Sequence, residues 1–274
     1  MQSIILVLTL MPALLALMTG AGHAQKAAAK IGATLSISDH GNWRVVHKGI
    51  EYRKITLQRS DPNSTVELKV LRFDPKETSA QVLDAGRFQL KGAEAKTFAA
   101  KSGAVATINA NYFDEKGRPL AYLKTAAREV NRLVSKHALY TGVFAVRDGA
   151  PAVMHRDEFQ AAQASEALQS GPLLLLRGAP VETMPGLGRY ARRAVVGVDK
   201  SGRVLIAATD GALGGVSFTE LQELFSNSRW QLETPDLLNL DGGSSAQLYV
   251  KTGKFEESAP GLSEVPVAIG FFAR

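Results

Sequence analysis

The chain has 274 residues, of which 45% are hydrophobic and 21% are charged, and its formal net charge at pH 7 is +6. This length allows one large domain or two small ones, and the composition is that of a soluble protein able to bury a substantial core. The absence of cysteine excludes disulfides, thiolate metal sites, a cysteine nucleophile and a cysteine-linked lipid anchor. The positive charge favours anionic partners, such as phosphorylated glycans, anionic envelope polymers or lipid headgroups. Nucleic acid is not expected, because no RNA- or DNA-binding motif is present.

The N-terminal residues predict export. Residues 1–24 carry no charged side chain, and the apolar run Ile4–Met18 leads to Gly22-His23-Ala24, with small residues at positions −3 and −1 of a cut after residue 24. This pattern indicates a signal peptide, and the run is short for a membrane span, although an uncleaved anchor is the competing interpretation. We expect a signal peptide over 1–24, a linker over 25–33 and one domain over 34–274. The mature protein is expected in a bacterial periplasm or outside the cell, with no transmembrane span.

Short apolar runs separated by Gly, Pro, Asp and Asn predict strands in the first half of the chain, with one short helix at Glu94–Ser102. The strand-like runs are Trp43–Leu57, Thr65–Phe73, Ala80–Leu83 and Ala104–Ile108. The last of them enters Asn109-Ala110-Asn111-Tyr112-Phe113-Asp114, where amides and a carboxylate at a strand end can contact a polar ligand. An Asx turn is the alternative, because these residues also bond their own backbone.

Four basic residues recur at every fourth position after this segment, and they would form one stripe on a helix. They are Lys124, Arg128, Arg132 and Lys136. Like charges at this spacing disfavour a helix slightly unless an anion neutralises them. The stripe is interpreted either as an anion-facing lid or as a solvated face, and we expect a mobile, loop-like insert.

Two hairpins are predicted in the second half, at Gly142–Met154 and Ala194–Thr209. Between them, the Ala- and Gln-rich stretch Glu158–Leu168 is expected to be helical, and Leu173–Leu176 to be a buried strand. The sequence Ser217-Phe218-Thr219-Glu220 is a capping box, which predicts the start of an amphipathic helix.

This helix is expected to end near Asn227 and to lead into a strand at Leu237–Leu240, while Val265–Phe272 closes the sheet. The predicted fold is therefore α+β: a single strand-rich domain of mixed, largely antiparallel sheet with a few packed helices.

A carboxylate, two glycines and two hydroxyls follow the strand at Leu237–Leu240, in Asp241-Gly242-Gly243-Ser244-Ser245. Adjacent glycines allow backbone N–H groups to turn toward an anion, and Asp241 can serve as base, nucleophile or orienting acceptor. A tight hairpin turn is the alternative, since Asp-Gly and Gly-Gly are common turn signals.

Five polar turns end apolar strands, and together they favour a binding site. They are Asn109–Asp114, Ser170-Gly171-Pro172, Arg192-Arg193, Thr209-Asp210-Gly211 and Asp241–Ser245. Arginine, glycine amides and hydroxyls suit a phosphate or another oxyanion. No GxSxG, P-loop or HExxH motif is present, and of the five histidines only His137, in the basic insert, is kept as a reserve candidate.

These turns resemble motifs of the phosphodiester glycosidase domain family over residues 105–272. Asn239–Ser245 is similar to its DGGGS signature, Ile108–Phe113 to its NGGYF-like segment and Arg193–Gly197 to its RTAxG strand; Ser170-Gly171-Pro172 and Thr209-Asp210-Gly211 also match. The chain departs from the family pattern at Asn111 and Ser244, where glycine is usual, and at Leu120–Lys136, where a Gly-rich insert is usual.

The resemblance implies an exported hydrolase that cleaves the bond between a sugar anomeric carbon and a phosphodiester oxygen, in an N-acetylglucosamine-type or envelope glycan. Asp241 would be nucleophile or base, with Asp210 as its catalytic partner. The implied substrate-binding residues are Asn109, Asn111, Tyr112, Ser170, Gly171, Arg193, Gly242, Gly243, Ser244 and Ser245. Arg193 and the backbone of residues 242–244 would hold the phosphate, and Asn109 and Ser170 the sugar hydroxyls.

Two other classes of protein fit the same residues. One is a non-catalytic module that binds envelope polysaccharide or peptidoglycan, and the other is a hydrolase with Ser244 or Ser245 as nucleophile. No cofactor is expected. Asp210, Asp241 and Asn239 could ligate calcium, but their spacing is not that of an EF-hand, so no metal is expected.

Overall fold

The computed structural model describes residues 35–59, 65–183, 186–211 and 215–274, so the predicted signal peptide and linker lie outside the described residues. Within these ranges the first elements are β1 (Leu35–Asp39), β2 (Arg44–His47), β3 (Ile50–Arg59), β4 (Thr65–Phe73), β5 (Thr78–Asp84), α1 (Ala95–Ser102), β6 (Ala106–Asn109), β7 (Leu123–Thr125), β8 (Arg128–Asn131), β9 (Gly142–Arg147) and β10 (Ala150–His155). They are followed by β11 (Glu166–Ser170), β12 (Leu173–Leu176), β13 (Ala179–Pro180), β14 (Ala194–Val198), β15 (Val204–Asp210), α2 (Phe218–Ser226), β16 (Asp236–Asn239), β17 (Leu248–Thr252), β18 (Phe255–Ala259) and β19 (Val267–Ala273).

The strands form three largely antiparallel sheets. Sheet I has the order β1-β3-β4-β15-β14-β16-β12-β13, with β2 paired to β3; sheet II is β10-β9-β11-β7-β8, and sheet III is β18-β17-β6-β19-β5. With two α-helices beside them, this arrangement confirms the predicted strand-rich α+β fold. No helix within the described ranges is both long enough and apolar enough to cross a membrane.

Sheet I lies between two apolar layers, which explains why β12, β14 and β15 are hydrophobic on both faces. On β15, Ile206 belongs to the core cluster that includes Phe144 of sheet II and Ile269 of sheet III. The neighbouring Leu205 points the other way and shares a cluster with Leu221 of α2. Strand side chains alternate between faces, so a run of apolar residues is needed where both faces are covered.

The predicted helix start at the capping box is confirmed. The Ser217 hydroxyl accepts from the Glu220 backbone N–H at 3.2 Å, and the Glu220 carboxylate accepts from the Ser217 N–H at 2.8 Å. These reciprocal bonds satisfy N–H groups that the helix itself leaves without partners. The helix ends at Ser226, with Asn227 as its C-cap, as the sequence predicts.

The two hairpins are also confirmed. Strands β9 and β10 pair from Ala150–Arg147 to His155–Gly142, and β14 and β15 pair from Ala194–Ala208 to Val198–Val204. The predicted long strand at 43–57 is instead two strands, β2 and β3, which turn at Gly49 with a positive φ of 72°.

The basic residues do not lie on a helix, and much of the expected loop-like insert is a hairpin. Residues 123–131 form β7 and β8 at the edge of sheet II, joined by Ala126 and Ala127 with φ of 49° and 61°. Lys124 is half-buried and donates to the Ala161 carbonyl at 2.9 Å, whereas Arg128 is exposed. The four basic residues therefore do not form the stripe of one helical face.

The predicted helix at 158–168 is also wrong. This stretch contains two short 3-10 turns, at 156–158 and 161–163, and then β11, which pairs with both β9 and β7. All five residues of β11 are buried. The helix propensity of an Ala- and Gln-rich sequence is weak, and burial between two neighbouring strands overrides it.

Candidate functional site

The candidate site lies where the ends of sheets I and III meet. The Asp241 N–H donates to the Ala110 carbonyl at 2.8 Å, which joins the loop after β16 to the residue after β6. The buried side chain of Asn109 then donates to the Asp241 carbonyl at 2.7 Å and accepts from the Gln247 N–H at 3.0 Å. Asn109 thus holds both ends of the loop that carries Asp241, and its amide is committed to that loop.

The Asp241 carboxyl is partly buried and accepts hydrogen bonds within its own loop, from the Ser245 hydroxyl and the Gly242 N–H. Burial raises the pKa of Asp241 above its ordinary value, and these two hydrogen bonds oppose the rise. A carboxyl group with a raised pKa can exchange protons nearer to neutral pH than an exposed aspartate, as acid–base catalysis requires.

Arg193 is a buried cation, 8% exposed, that is oriented by backbone carbonyls. Its Nε donates to the Val216 carbonyl at 3.1 Å and its Nη2 to the Arg189 carbonyl at 2.7 Å, while its guanidinium stacks 3.9 Å from the centre of the Phe218 ring. In the described part of the chain, no carboxylate forms an ion pair with it. Burial lowers its pKa, which reflects the cost of holding a charge in this position.

Tyr112 interacts with the charges of both groups. Its pKa is raised strongly by burial and further by the charge of Asp241, while Arg193 acts in the opposite direction. Its hydroxyl donates to the Gly171 carbonyl at 2.9 Å and accepts from Asn239 Nδ2 at 3.1 Å. Tyr112 thus connects its own turn to the Ser170-Gly171-Pro172 turn and to the last residue of β16.

Three side chains near these turns keep buried polar atoms without a hydrogen-bond partner among the described residues. They are both amide atoms of Asn111, the Ser170 hydroxyl and Oδ1 of Asn239. A buried polar group left without a partner costs about 1–3 kcal/mol. Such groups therefore favour a ligand that supplies hydroxyls or amides.

The SGP turn is held in a conformation that only glycine can adopt. Gly171 has a φ of 158°, and a Cβ there would lie 1.9 Å from the Leu139 carbonyl oxygen. The peptide bond to Pro172 is cis. This turn directs the Gly171 carbonyl toward Tyr112 and Asn239, whose amide donates to it at 2.9 Å.

The backbone of the glycine loop is largely occupied. The Gly243 N–H donates to the Arg192 carbonyl at 2.9 Å, and the Gly242 N–H serves Asp241. A Cβ on Gly242 would approach that same Arg192 carbonyl to 2.8 Å, so glycine is needed for close packing there. Two of the three N–H groups expected to hold a phosphate are thus already bonded, which leaves Arg193 as the stronger anion ligand.

Asp210 lies apart from this arrangement. Its carboxylate forms an ion pair with Lys69 at 2.9 Å, and Lys69 also pairs with Glu257 at 3.1 Å and donates to the Ser258 carbonyl at 2.6 Å. Among the described contacts, neither a hydrogen bond nor an ion pair joins Asp210 to Asp241. The structure therefore does not bring the two expected catalytic carboxylates into contact.

The remaining predicted residues lie at the rim. Ser244 and Gly243 are exposed, and the Ser244 carbonyl accepts from the N–H groups of Leu262 and Ser263. His137, the reserve candidate, is exposed and stacks on Tyr140 with ring centres 4.3 Å apart. Within the described residues, no three His, Cys, Asp or Glu side chains are grouped to hold a metal ion.

Tyr140 and Lys69 were missed from the sequence, and Asn239 was considered only as part of the Asp241 motif and as a possible calcium ligand. Asn239 bonds Tyr112 and Gly171, and Lys69 neutralises Asp210. Burial raises the pKa of Tyr140, and the charge of Asp241 raises it further. The role of Asn239 could have been found, since it begins the Asp241 motif, and Lys69 is a cation between the apolar residues Leu68 and Val70 of β4. Tyr140 carried no such signal.

Comparison with known proteins identifies a family for most of the chain. Residues 102–272 match the family described as phosphodiester glycosidase. The catalytic domain of zebrafish N-acetylglucosamine-1-phosphodiester alpha-N-acetylglucosaminidase, in a structure auto-inhibited by its pro-peptide, has a TM-score of 0.64 and 15% identity, with 88% of this chain and 89% of that chain covered.

Two bacterial structures share the fold. A hypothetical protein from Synechocystis has a TM-score of 0.58 and 16% identity, with 83% of this chain and 62% of that chain covered. A Burkholderia pseudomallei protein named for its expected export has a TM-score of 0.54 and 13% identity, with 76% of this chain and 74% of that chain covered. A search of the curated proteins gave no significant match. Since the matched region spans more than half of the chain, this protein belongs to the phosphodiester glycosidase family.

Proposed function

We propose that this protein is an exported hydrolase that cleaves the glycosidic bond between a sugar and the phosphate of a sugar 1-phosphodiester. The observation that carries the proposal is the placement of Tyr112 beside both Asp241 and a buried Arg193 that has only carbonyl partners. A phosphodiester brings the anion that Arg193 lacks, and family membership supports the same reaction class.

The chemistry needs little acid catalysis of the leaving group. Water, or Asp241 followed by water, attacks the anomeric carbon, and the bond to the phosphodiester oxygen breaks with its electron pair retained by the phosphate. The product is a phosphate monoester, whose second pKa of about 6 makes it a stable anion. The protein must therefore hold the phosphate and stabilise positive charge on the sugar.

In this scheme Arg193 binds the phosphate and ionised Asp241 acts as nucleophile or as base on water. Ser245 is a positioning residue, because its hydroxyl donates to Asp241 and limits the carboxyl rotamers. Asn111 and Ser170 supply unpaired polar atoms for sugar hydroxyls. Asp210 could assist only if its ion pair with Lys69 opens when substrate binds.

The decisive experiment is release of phosphate ester from an N-acetylglucosamine 1-phosphodiester by residues 25–274, with the matched aryl glycoside beside it. We expect cleavage of the phosphodiester only, and its loss in Asp241→Asn. Asp157→Asn is the matched control, since Asp157 is 70% exposed in the side chain and contacts only His155 and Arg156 among the ion pairs of the described chain. Normal turnover by Asp241→Asn would refute the assignment of Asp241.

A second candidate function is glycan binding without catalysis. Asp210 is neutralised by Lys69, which leaves Asp241 without a second carboxylate as catalytic partner among the described contacts. This function predicts retention of glycan without turnover. The serine hydrolase alternative is disfavoured, since the Ser245 hydroxyl is bonded to Asp241 and, within the described ranges, no histidine hydrogen-bonds it. A serine-reactive phosphonate should therefore leave the protein unlabelled.

A further inference from the structure

A groove of about 500 Å³ lies next to the candidate site, outside the residues assigned to catalysis. It is lined by Asp114, Arg118, Pro119, Leu120, Val130 and Asn131. Leu120 is 43% exposed, and Val130 on β8 is 38% exposed. Leu133, which follows the C-terminal end of β8, is 37% exposed. Exposed aliphatic side chains clustered beside a site indicate a binding surface, because burying them on a ligand is favourable.

The groove and the site are connected through one residue. The Tyr112 carbonyl accepts from the Leu120 N–H at 2.9 Å, while the hydroxyl at the other end of Tyr112 bonds Asn239 and Gly171. The wall of the groove is also fixed, because Asn131 donates to the Pro119 carbonyl at 2.6 Å. The groove therefore adjoins the backbone of the residue whose hydroxyl contacts Asn239 and Gly171 at the site.

The charge around the groove is complementary to a phosphate ester. Residues 114–140 contain six basic and three acidic residues, and Arg118, Arg128 and Arg132 are exposed there. Pro119, Leu120 and Val130 form the apolar half of the lining; the polar half is Asn131 with the ion pair of Arg118 and Asp114 at 2.7 Å, and no aromatic ring is present to stack a second sugar. The adjacent edge strand β8 carries the exposed charges of Arg128 and Glu129, which oppose addition of a peptide strand.

We infer that this groove binds the apolar end of the aglycone, so that the substrate is a sugar 1-phosphodiester of a long-chain alcohol. The inference rests on the proposed function, since it takes Arg193 as the phosphate ligand. Hydrolysis then releases the free sugar and an alkyl phosphate, and the alkyl phosphate keeps contacts with both Arg193 and the groove.

Calorimetric titration of the full chain with methyl, butyl and octyl phosphate tests this directly. Each methylene that the groove buries is worth about fourfold in affinity. We expect octyl phosphate, kept monomeric, to bind at least tenfold more tightly than methyl phosphate. In the double variant Leu120→Ser/Val130→Ser, the gain in affinity for octyl phosphate should be lost, while the affinity for methyl phosphate should not change.

Val45→Ser is the matched control, because Val45 is 70% exposed on β2 and lies outside the groove. It should keep the full chain-length effect. Equal affinity of the wild type for methyl and octyl phosphate would overturn the inference, and so would a double variant that keeps the octyl gain.

Vesicles of phosphatidylglycerol form a separate arm. Binding to vesicles that needs Leu120 and Val130, without a chain-length effect on monomeric alkyl phosphates, would assign the groove to a membrane surface and overturn the inference. Turnover is not read in these titrations. A chain-length effect without any hydrolysis of the octyl phosphodiester would refute the proposed function and leave the groove assignment standing.

Discussion

Replacing Asn109 by alanine should destabilise the fold, because this side chain holds the candidate catalytic loop. Its two hydrogen bonds, to the Asp241 carbonyl at 2.7 Å and from the Gln247 N–H at 3.0 Å, are made by a residue that is 1% exposed. The change leaves two buried backbone groups without partners. At about 1–2 kcal/mol each, the loss is about 3 kcal/mol of unfolding free energy. For a domain of this size, that lowers Tm by about 6–12 °C.

Thermal and urea unfolding measure the effect, with Asn227→Ala as control. Asn227 also makes two side-chain hydrogen bonds, with Glu223 and the Arg229 N–H, but both are exposed. Its replacement should change the unfolding free energy by less than about 1 kcal/mol. If Asn109→Ala unfolds like the wild type and loses only sugar affinity, Asn109 is a substrate contact and our reading of the loop is wrong.

Three further predictions concern the charged groups of the site. Asp241→Asn should be more stable than the wild type at neutral pH, because burial raises the pKa of Asp241 and the folded state therefore disfavours the ionised carboxylate. The stability of the wild type then falls as the pH rises from the pKa of Asp241 in the unfolded state through its pKa in the folded state. Tm measured against pH should show this gain vanishing in acid; a gain independent of pH would refute it. Ser245→Ala removes a hydrogen bond to a charged acceptor, worth about 1.5 kcal/mol. In the pH profile of kcat/KM, the acid limb should therefore be about tenfold lower and the alkaline plateau unchanged. An acid limb that does not move would contradict the positioning role of Ser245. Arg193→Lys cannot keep both carbonyl bonds and the stacking on Phe218, so KM for the phosphodiester should rise at least tenfold, while affinity for the free sugar, measured by calorimetry, should not change.

Local sequence signals predicted the elements whose formation depends on neighbours in the chain. The capping box at Ser217 and Glu220 works within one helical turn, and the turns of the β9–β10 and β14–β15 hairpins lie between strands adjacent in sequence. The helix predicted over 158–168 was wrong because strands distant in sequence determine the conformation there: β11 is buried between β9 and β7. A composition that favours helix carries no information about those partners.

The same limit applies to the site. The sequence motifs located Asp241, Arg193 and the Ser170 turn, because strand ends with Gly, Ser and Asn are visible locally. The motifs could not show that Asn109 bonds Gln247, which is 138 positions away, or that Asp210 is neutralised by Lys69. Which polar atoms are already bonded, and which are left for a ligand, is decided only by such distant pairs.

The way the arginines are held determines the sign of the local field. Arg193 is oriented by the Val216 and Arg189 carbonyls, and Arg192 by the carbonyls of Ala246 and Pro260. A carbonyl orients a guanidinium without cancelling its charge, whereas a carboxylate partner would do both. The acid that could have compensated them, Asp210, is instead paired with Lys69. Two arginines held by carbonyls, against the single carboxylate of Asp241, leave an excess of positive charge, which in the proposed function attracts a phosphodiester before any bond is broken.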